Sequence, residues 1–236
     1  MKRISFADTL WRLLLGAGLV AGCIFIYHRL PEFDFVAFDD DINITLNSHL
    51  GPPSMESVRW MFSDFTTILR YMPLGWLSYS LIFTAGGLDP MWYHSVVLAL
   101  HILNALLACL LAQRVISLAG ADGPEGRDRR WAVFAAVLGA AFWAWHPLRV
   151  ETTSWCTGLL YVLSCFWMLL SALAYCAALE RYISNGRWGA LLPVSVGLFA
   201  ISLLSYGSKG QERLAEACRR EAERVANSSG CLKLCE

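Results

Sequence analysis

The residues best placed to do chemistry in this chain are three consecutive carboxylates, Asp39, Asp40 and Asp41, in Phe35-Val-Ala-Phe-Asp-Asp-Asp-Ile-Asn-Ile. They follow the first long apolar run, where acids can take protons, hold a cation or position a substrate at the mouth of a helix bundle. A solvated turn that only ends a helix is the competing reading. A second group, His146-Pro-Leu-Arg149-Val-Glu151, surrounds a proline break. There an imidazole and a carboxylate can bind hydroxyl groups or phosphate, with Arg149 the natural phosphate partner; polar groups meeting interfacial water at a helix end are the alternative. His94, His101 and Asn104 share one face of an apolar stretch, at separations of seven and three residues. Interhelix hydrogen bonding is their first reading, and His94, nearer the end, is the one to line a site.

These groups need a scaffold, and composition names its class. Of 236 residues, 56% are hydrophobic and only 16% charged, so the chain reads as an integral membrane protein with an all-α, polytopic helix bundle. Nineteen basic residues balance nineteen acidic ones without a basic stripe, which leaves no case for nucleic acid as a partner. The lipid bilayer is the expected environment. Eight cysteines show neither zinc-site nor redox spacing and read as small core residues plus stray thiols.

Apolar runs predict spans at Leu10–Tyr27, Met91–Leu118, Trp131–Trp145, Trp155–Leu179 and Trp188–Tyr206. Val20-Ala-Gly-Cys23 resembles a lipoprotein cleavage box, but apolar residues continue past it to Tyr27, as an uncleaved first span requires. Met72–Ala85 is 14 residues long with Pro73 near its start, a length suited to an interfacial or re-entrant helix. Lys2, Arg3 and Arg12 place the N-terminus in the cytoplasm, and Arg114, Arg127, Arg129 and Arg130 place their loop there as well. A single span must then leave and Met91–Leu118 return, so Met72–Ala85 stays outside. Five crossings follow, and the acid cluster, the His146–Glu151 segment and Lys209 all emerge on the non-cytoplasmic face. In the outer loop, 31–90, Val58, Met61, Phe62 and Phe65 recur at helical spacing, as in a helix lying on the membrane surface. Asn43-Ile-Thr45 is a glycosylation pattern to which we assign no role.

Several of these pieces, in order, resemble the membrane portion of GT-C glycosyltransferases, in particular tetratricopeptide-containing O-mannosyltransferases and their bacterial relatives. They are Phe38-Asp-Asp-Asp with Asn47, Tyr71-Met-Pro-Leu, Gly86-Gly-Leu-Asp-Pro with Tyr93-His, Leu100-His-Ile-Leu-Asn-Ala-Leu-Leu, His146-Pro-Leu-Arg-Val-Glu with Trp155, and Leu204-Ser-Tyr-Gly-Ser-Lys-Gly. The resemblance implies a GT-C-like bundle in the bacterial inner membrane or the endoplasmic reticulum. It further implies transfer of a sugar, mannose in that family, from a polyprenyl-phosphate carrier to an acceptor hydroxyl such as a protein Ser or Thr. Asp39 or Asp40 is then the expected general base, and Asp41 a helper or helix-capping acid, because three adjacent side chains cannot meet at one atom. His94, His146, Arg149, Glu151 and Lys209 are the expected sugar or phosphate contacts, with a snorkelling lysine the bland alternative for Lys209. A divalent metal on the acid pair is the weaker role, since no further ligands accompany it.

Two departures accompany the resemblance. After Trp155, where relatives often carry an Arg and an Asp, this chain has Thr157-Gly-Leu-Leu-Tyr161. Residues 1–210 resemble the N-terminal part of the membrane domain, whereas 211–236 read as a charged helical tail in place of a further span. A truncated or frame-altered product is the expectation that follows. A non-catalytic membrane assembly protein, and an ion channel using His101, are the alternative functions.

Overall fold

The structure, a computed structural model, describes residues 6–37, 39–64, 71–120 and 126–206. Among them it contains helices and turns and no strand. The elements are α1 (Phe6–Tyr27), α2 (Met55–Ser63), α3 (Pro73–Gly86), α4 (Pro90–Leu118), α5 (Gly126–Trp145), α6 (Arg149–Ser154), α7 (Leu159–Asn185) and α8 (Leu191–Ser205). The chain is an all-α membrane helix bundle. Three segments, Asp8–Glu32, Pro90–Leu118 and Cys156–Asn185, have the length and apolar composition to cross a bilayer. Arg130–Trp145 and α8, which the sequence also predicts as crossings, are shorter apolar helices. Leu13, Leu14, Phe25, Phe142, Val196 and Leu203 point outward from the bundle, as lipid-facing side chains do.

Helix directions follow from polar contacts at both ends. Arg130 pairs with Asp8 at 2.8 Å, and the Tyr27 hydroxyl donates to the Ala144 carbonyl at 3.2 Å, so α1 and α5 run parallel. Arg114 grips Glu180 through both carboxylate oxygens at 3.0 and 2.9 Å, joining the C-terminal ends of α4 and α7. These charged pairs gather at one end of the bundle, and the acid loop sits at the other. Helices α7 and α8 are antiparallel and joined by two serine pairs. Ser164 faces Ser202 and Ser171 faces Ser195, each hydroxyl donating to the partner's carbonyl at 2.8 to 3.1 Å. In an apolar setting such reciprocal bonds also satisfy hydroxyls that would otherwise be orphaned.

Two clusters form the core. Leu19, Cys23, Cys109, Ala136, Ala140 and Ala144 bring α1, α4 and α5 together, small residues allowing close approach. Met61, Trp76, Tyr79, Tyr93, Val97 and Leu159 form the second, beneath the acid loop. Helix α2 starts at a Ser54/Ser57 capping box and turns Met61 into this cluster, with Trp60 against Trp76, while Phe62 remains exposed. So α2 is fixed by its inward face as well as by any surface it lies on; Phe65 lies outside the described residues. Gly75 lets α3 reach the bundle, because a Cβ there would run into Leu160 and sit 3.1 Å from the Ser205 carbonyl.

The stretch from the proline break into the span predicted from Trp155 forms helix α6, a 3-10 turn at Cys156–Gly158, and α7 from Leu159. Extended backbone at Trp155 ends α6. The break leaves the Thr157 amide without a helical acceptor, and that amide becomes part of the site.

Candidate functional site

The acid loop turns through a π-helical segment, Asp41–Thr45, closed by the Leu46 amide on the Asp41 carbonyl at 2.8 Å. Wide turns of this kind re-aim side chains and recur at functional sites. Here the three acids diverge. Asp40 is 1% exposed, and its two oxygens accept from the backbone amides of Val36 at 3.0 Å and Thr157 at 2.9 Å. Asp41 accepts from the Thr45 hydroxyl at 3.1 Å. Asp39 is partly buried and lines a cavity of about 200 Å³ together with Glu151 of α6.

Asn43, Thr152, Trp155, Thr157 and Tyr161 complete the part of that cavity relevant to chemistry. Asn43 is held by its Nδ2, which donates to the Asp39 carbonyl at 2.6 Å. A carbonyl can only accept, so this bond fixes the amide's orientation. Asn43 Oδ1 and Thr157 Oγ1 are buried and have no hydrogen-bond partner within the protein. Burial of Asn43 to 5% exposure also closes the glycosylation pattern to modification in this fold.

Arg149 occupies a second, smaller recess of about 50 Å³, with His101, Asn104 and Cys165. Its guanidinium lies 5.5 Å from the Trp143 ring centre. Thr152 and Tyr161 wall both recesses, so a carboxylate-lined space and a cationic one adjoin. Tyr161 in turn meets Tyr206 just past α8, with 3.3 Å between hydroxyl oxygens. Lys209, three residues further on, lies outside the described residues.

The histidines are placed differently from one another. Pro147 has no amide hydrogen, and the Leu148 amide donates to His146 Nδ1 at 3.2 Å, so the end of α5 lacks its normal helical donors. His101 Nε2 fills the gap by donating to the Ala144 carbonyl at 3.0 Å. His146 thus caps its own turn, and it does not line the Asp39 cavity. Asn104 donates to the Val162 carbonyl at 2.8 Å, tying α4 to α7. His94 is fully buried, with Nε2 3.4 Å from Cys156 Sγ, beneath the cavity and not on its wall. Tyr79, on α3, contacts the Thr157 carbonyl at 3.4 Å; burial above all, then the nearby Asp40 charge, pushes its phenol well above the usual value, so it stays a donor.

Of the sequence candidates, the structure thus brings Asp39 and Glu151 into one cavity with Arg149 next door, and sets Asp40, Asp41, His94 and His146 apart. Thr152, Thr157 and Tyr161 were not candidates. The signal for them was a polar, glycine-containing corner directly after the proline break, read above only as a departure from the resemblance. No group of His, Cys, Asp and Glu suited to a metal ion occurs among the described residues.

The fold and cavity define a membrane helix bundle with a polar site at one end. Comparison with known proteins adds similarity to protein O-mannosyl-transferases: Tmtc1 of Drosophila melanogaster, 31% identical over 122 residues, and TMTC1 of Mus musculus and of Homo sapiens, each 27% identical over 198 residues. These alignments cover 52% of this chain for the fly protein and 79% for the mammalian ones. They span only 12%, 19% and 20% of the respective relatives, so the chain matches about a fifth of their length or less. The similarity supports a distant relationship. No family model and no solved structure matches the chain.

Proposed function

We propose that this chain provides the acceptor side of a GT-C-type membrane glycosyltransferase site, which moves a sugar from a polyprenyl-phosphate carrier to a hydroxyl, in the relatives' manner a mannose to a protein Ser or Thr. The observation that carries the proposal is the shared cavity of Asp39 and Glu151, two carboxylates from segments more than a hundred residues apart. Asp39 is the base. It takes the acceptor's proton as the hydroxyl oxygen attacks the anomeric carbon, the bond from that carbon to the phosphate oxygen breaks, and the lipid phosphate departs. Arg149, across Thr152 and Tyr161, supplies positive charge for the leaving phosphate. Glu151 orients sugar hydroxyls. Asp40 holds the acid loop onto the α6–α7 corner and does not touch substrate.

The acid loop and the charged pairs at opposite ends of the bundle support a non-cytoplasmic site, given the preference of basic residues for the cytoplasmic side. The test is transfer of labelled mannose from polyprenyl-phosphate mannose to a Ser/Thr-containing protein by this chain in liposomes. The expected result is transfer by the wild type and a loss of roughly 10²–10⁴-fold in Asp39→Asn. Undiminished transfer by that variant removes the base assignment, and its absence in the wild type removes the activity.

A further inference from the structure

A groove of about 580 Å³ lies near the starts of α1 and α5, at the end of the bundle away from the acid loop, lined by Trp11, Arg130, Trp131 and Phe134. Its groups are ordered along the two parallel helices. Asp8 on α1 and Arg130 on α5 form their 2.8 Å pair closest to the helix ends. Trp11 follows Asp8 by three residues, and Phe134 follows Arg130 by four, about 6 Å deeper at the helical rise. The rings of Trp131 and Phe134 meet edge to face at 5.8 Å. Trp11 and Trp131 are 39% and 62% exposed, so this aromatic wall is open to its surroundings. Charge at the rim with apolar surface beneath it is the profile of a lipid, head to tail.

The ion pair leaves part of Arg130 unused. Asp8 accepts from Nε alone, and the two terminal guanidinium nitrogens have no partner among the described residues. A guanidinium with free N–H groups next to an apolar wall suits a phosphate that carries an acyl chain. The surrounding sequence adds to the positive charge: the first turns of α1 and α5 hold Arg12, Arg127, Arg129 and Arg130 against Asp8 and Asp128. A volume of 580 Å³ corresponds to roughly twenty waters, at ~30 Å³ each, which is far more than a free phosphate fills.

We propose that this groove is a binding site for an anionic phospholipid, with its phosphate on the terminal nitrogens of Arg130 and its acyl chain against Trp11, Trp131 and Phe134. Asp8 is the internal competitor for that phosphate. It holds one edge of the guanidinium and repels a second anion, so the site's affinity is set by the balance between the two residues. The proposal rests on nothing in the sugar-transfer reading, whose groups lie at the other end of the bundle.

The test is native mass spectrometry of the full chain, purified in detergent and stripped of lipid, titrated with dioleoyl phosphatidylglycerol and with dioleoyl phosphatidylcholine. The chains are identical and only the head charge differs. Phosphatidylglycerol should bind at least fivefold more tightly, the scale set by one basic residue at a lipid head. Arg130→Gln should remove most of that preference while leaving phosphatidylcholine nearly unchanged. Asp8→Asn should act in the opposite direction and tighten phosphatidylglycerol two- to fivefold, whereas an ion pair with a purely structural role predicts the same loss from either variant. Trp11→Ala combined with Phe134→Ala should weaken both lipids, and inorganic phosphate should not displace phosphatidylglycerol. Equal binding of the two lipids by the wild type overturns the proposal, and needs no variant to fold. Selectivity that survives Arg130→Gln, weaker phosphatidylglycerol binding in Asp8→Asn, or displacement by inorganic phosphate overturns it as well.

Discussion

Asp40 and Thr157 are 117 residues apart in the chain and joined by a 2.9 Å hydrogen bond from the Thr157 amide to the Asp40 carboxylate. Because Asp40 also accepts from the Val36 amide, one buried side chain clamps the acid loop to the corner between α6 and α7. Each of these bonds is charge-assisted, and neither has water to replace it.

Asp40→Asn should therefore act on the fold. The amide nitrogen it introduces must face one of two N–H donors, and a loss of about 2–3 kcal/mol is expected. Thermal unfolding in detergent checks it, with Asp39→Asn as the contrast: Asp39 makes no comparable side-chain bond to another segment among the described residues, and its variant should unfold like the wild type.

Gly158 sits where the Cβ of any other residue would fall onto the Thr152 backbone carbonyl. Since backbone must move to make room, Gly158→Ala should cost about 2–4 kcal/mol and distort the wall carrying Thr157. Size-exclusion profiles after graded heating measure this directly. An unchanged midpoint would show that the α6–α7 corner relaxes freely.

Arg149→Gln should raise the KM for a polyprenyl-phosphate donor by about 10-fold or more, as expected for losing a charged hydrogen bond to phosphate. Steady-state kinetics at varied donor concentration separates that from a change in kcat. An unaltered KM would place the phosphate elsewhere.

The serine pairs between α7 and α8 make a separate prediction. Ser171→Ala and Ser195→Ala should show a coupling of about 0.6 kcal/mol in a double-mutant cycle, the typical scale for interhelix bonds of membrane proteins. Ser164 and Ser202 form an equivalent pair one heptad away, so the four-serine variant should loosen α8 most.

The sequence by itself determined the class of the protein and nearly all of its helices. Long apolar runs have few solutions in lipid, and spacing alone marks His101 and Asn104 as facing the bundle, where both make interhelix bonds. It also selected the polar segments around Asp39 and Glu151. What it left open was where each acid points and what it bonds. Asp39, Asp40 and Asp41 are chemically identical and adjacent, and successive residues of a helical turn point roughly 100° apart. Only the tertiary structure decided their fates, because an amide freed by the break at Trp155 captures Asp40 and leaves Asp39 beside Glu151. The corner Thr157-Gly-Leu-Leu-Tyr161 was illegible for the same reason: its value to the site lies in an unpaired backbone group and two shared walls, and these arise only when segments distant in the chain pack together.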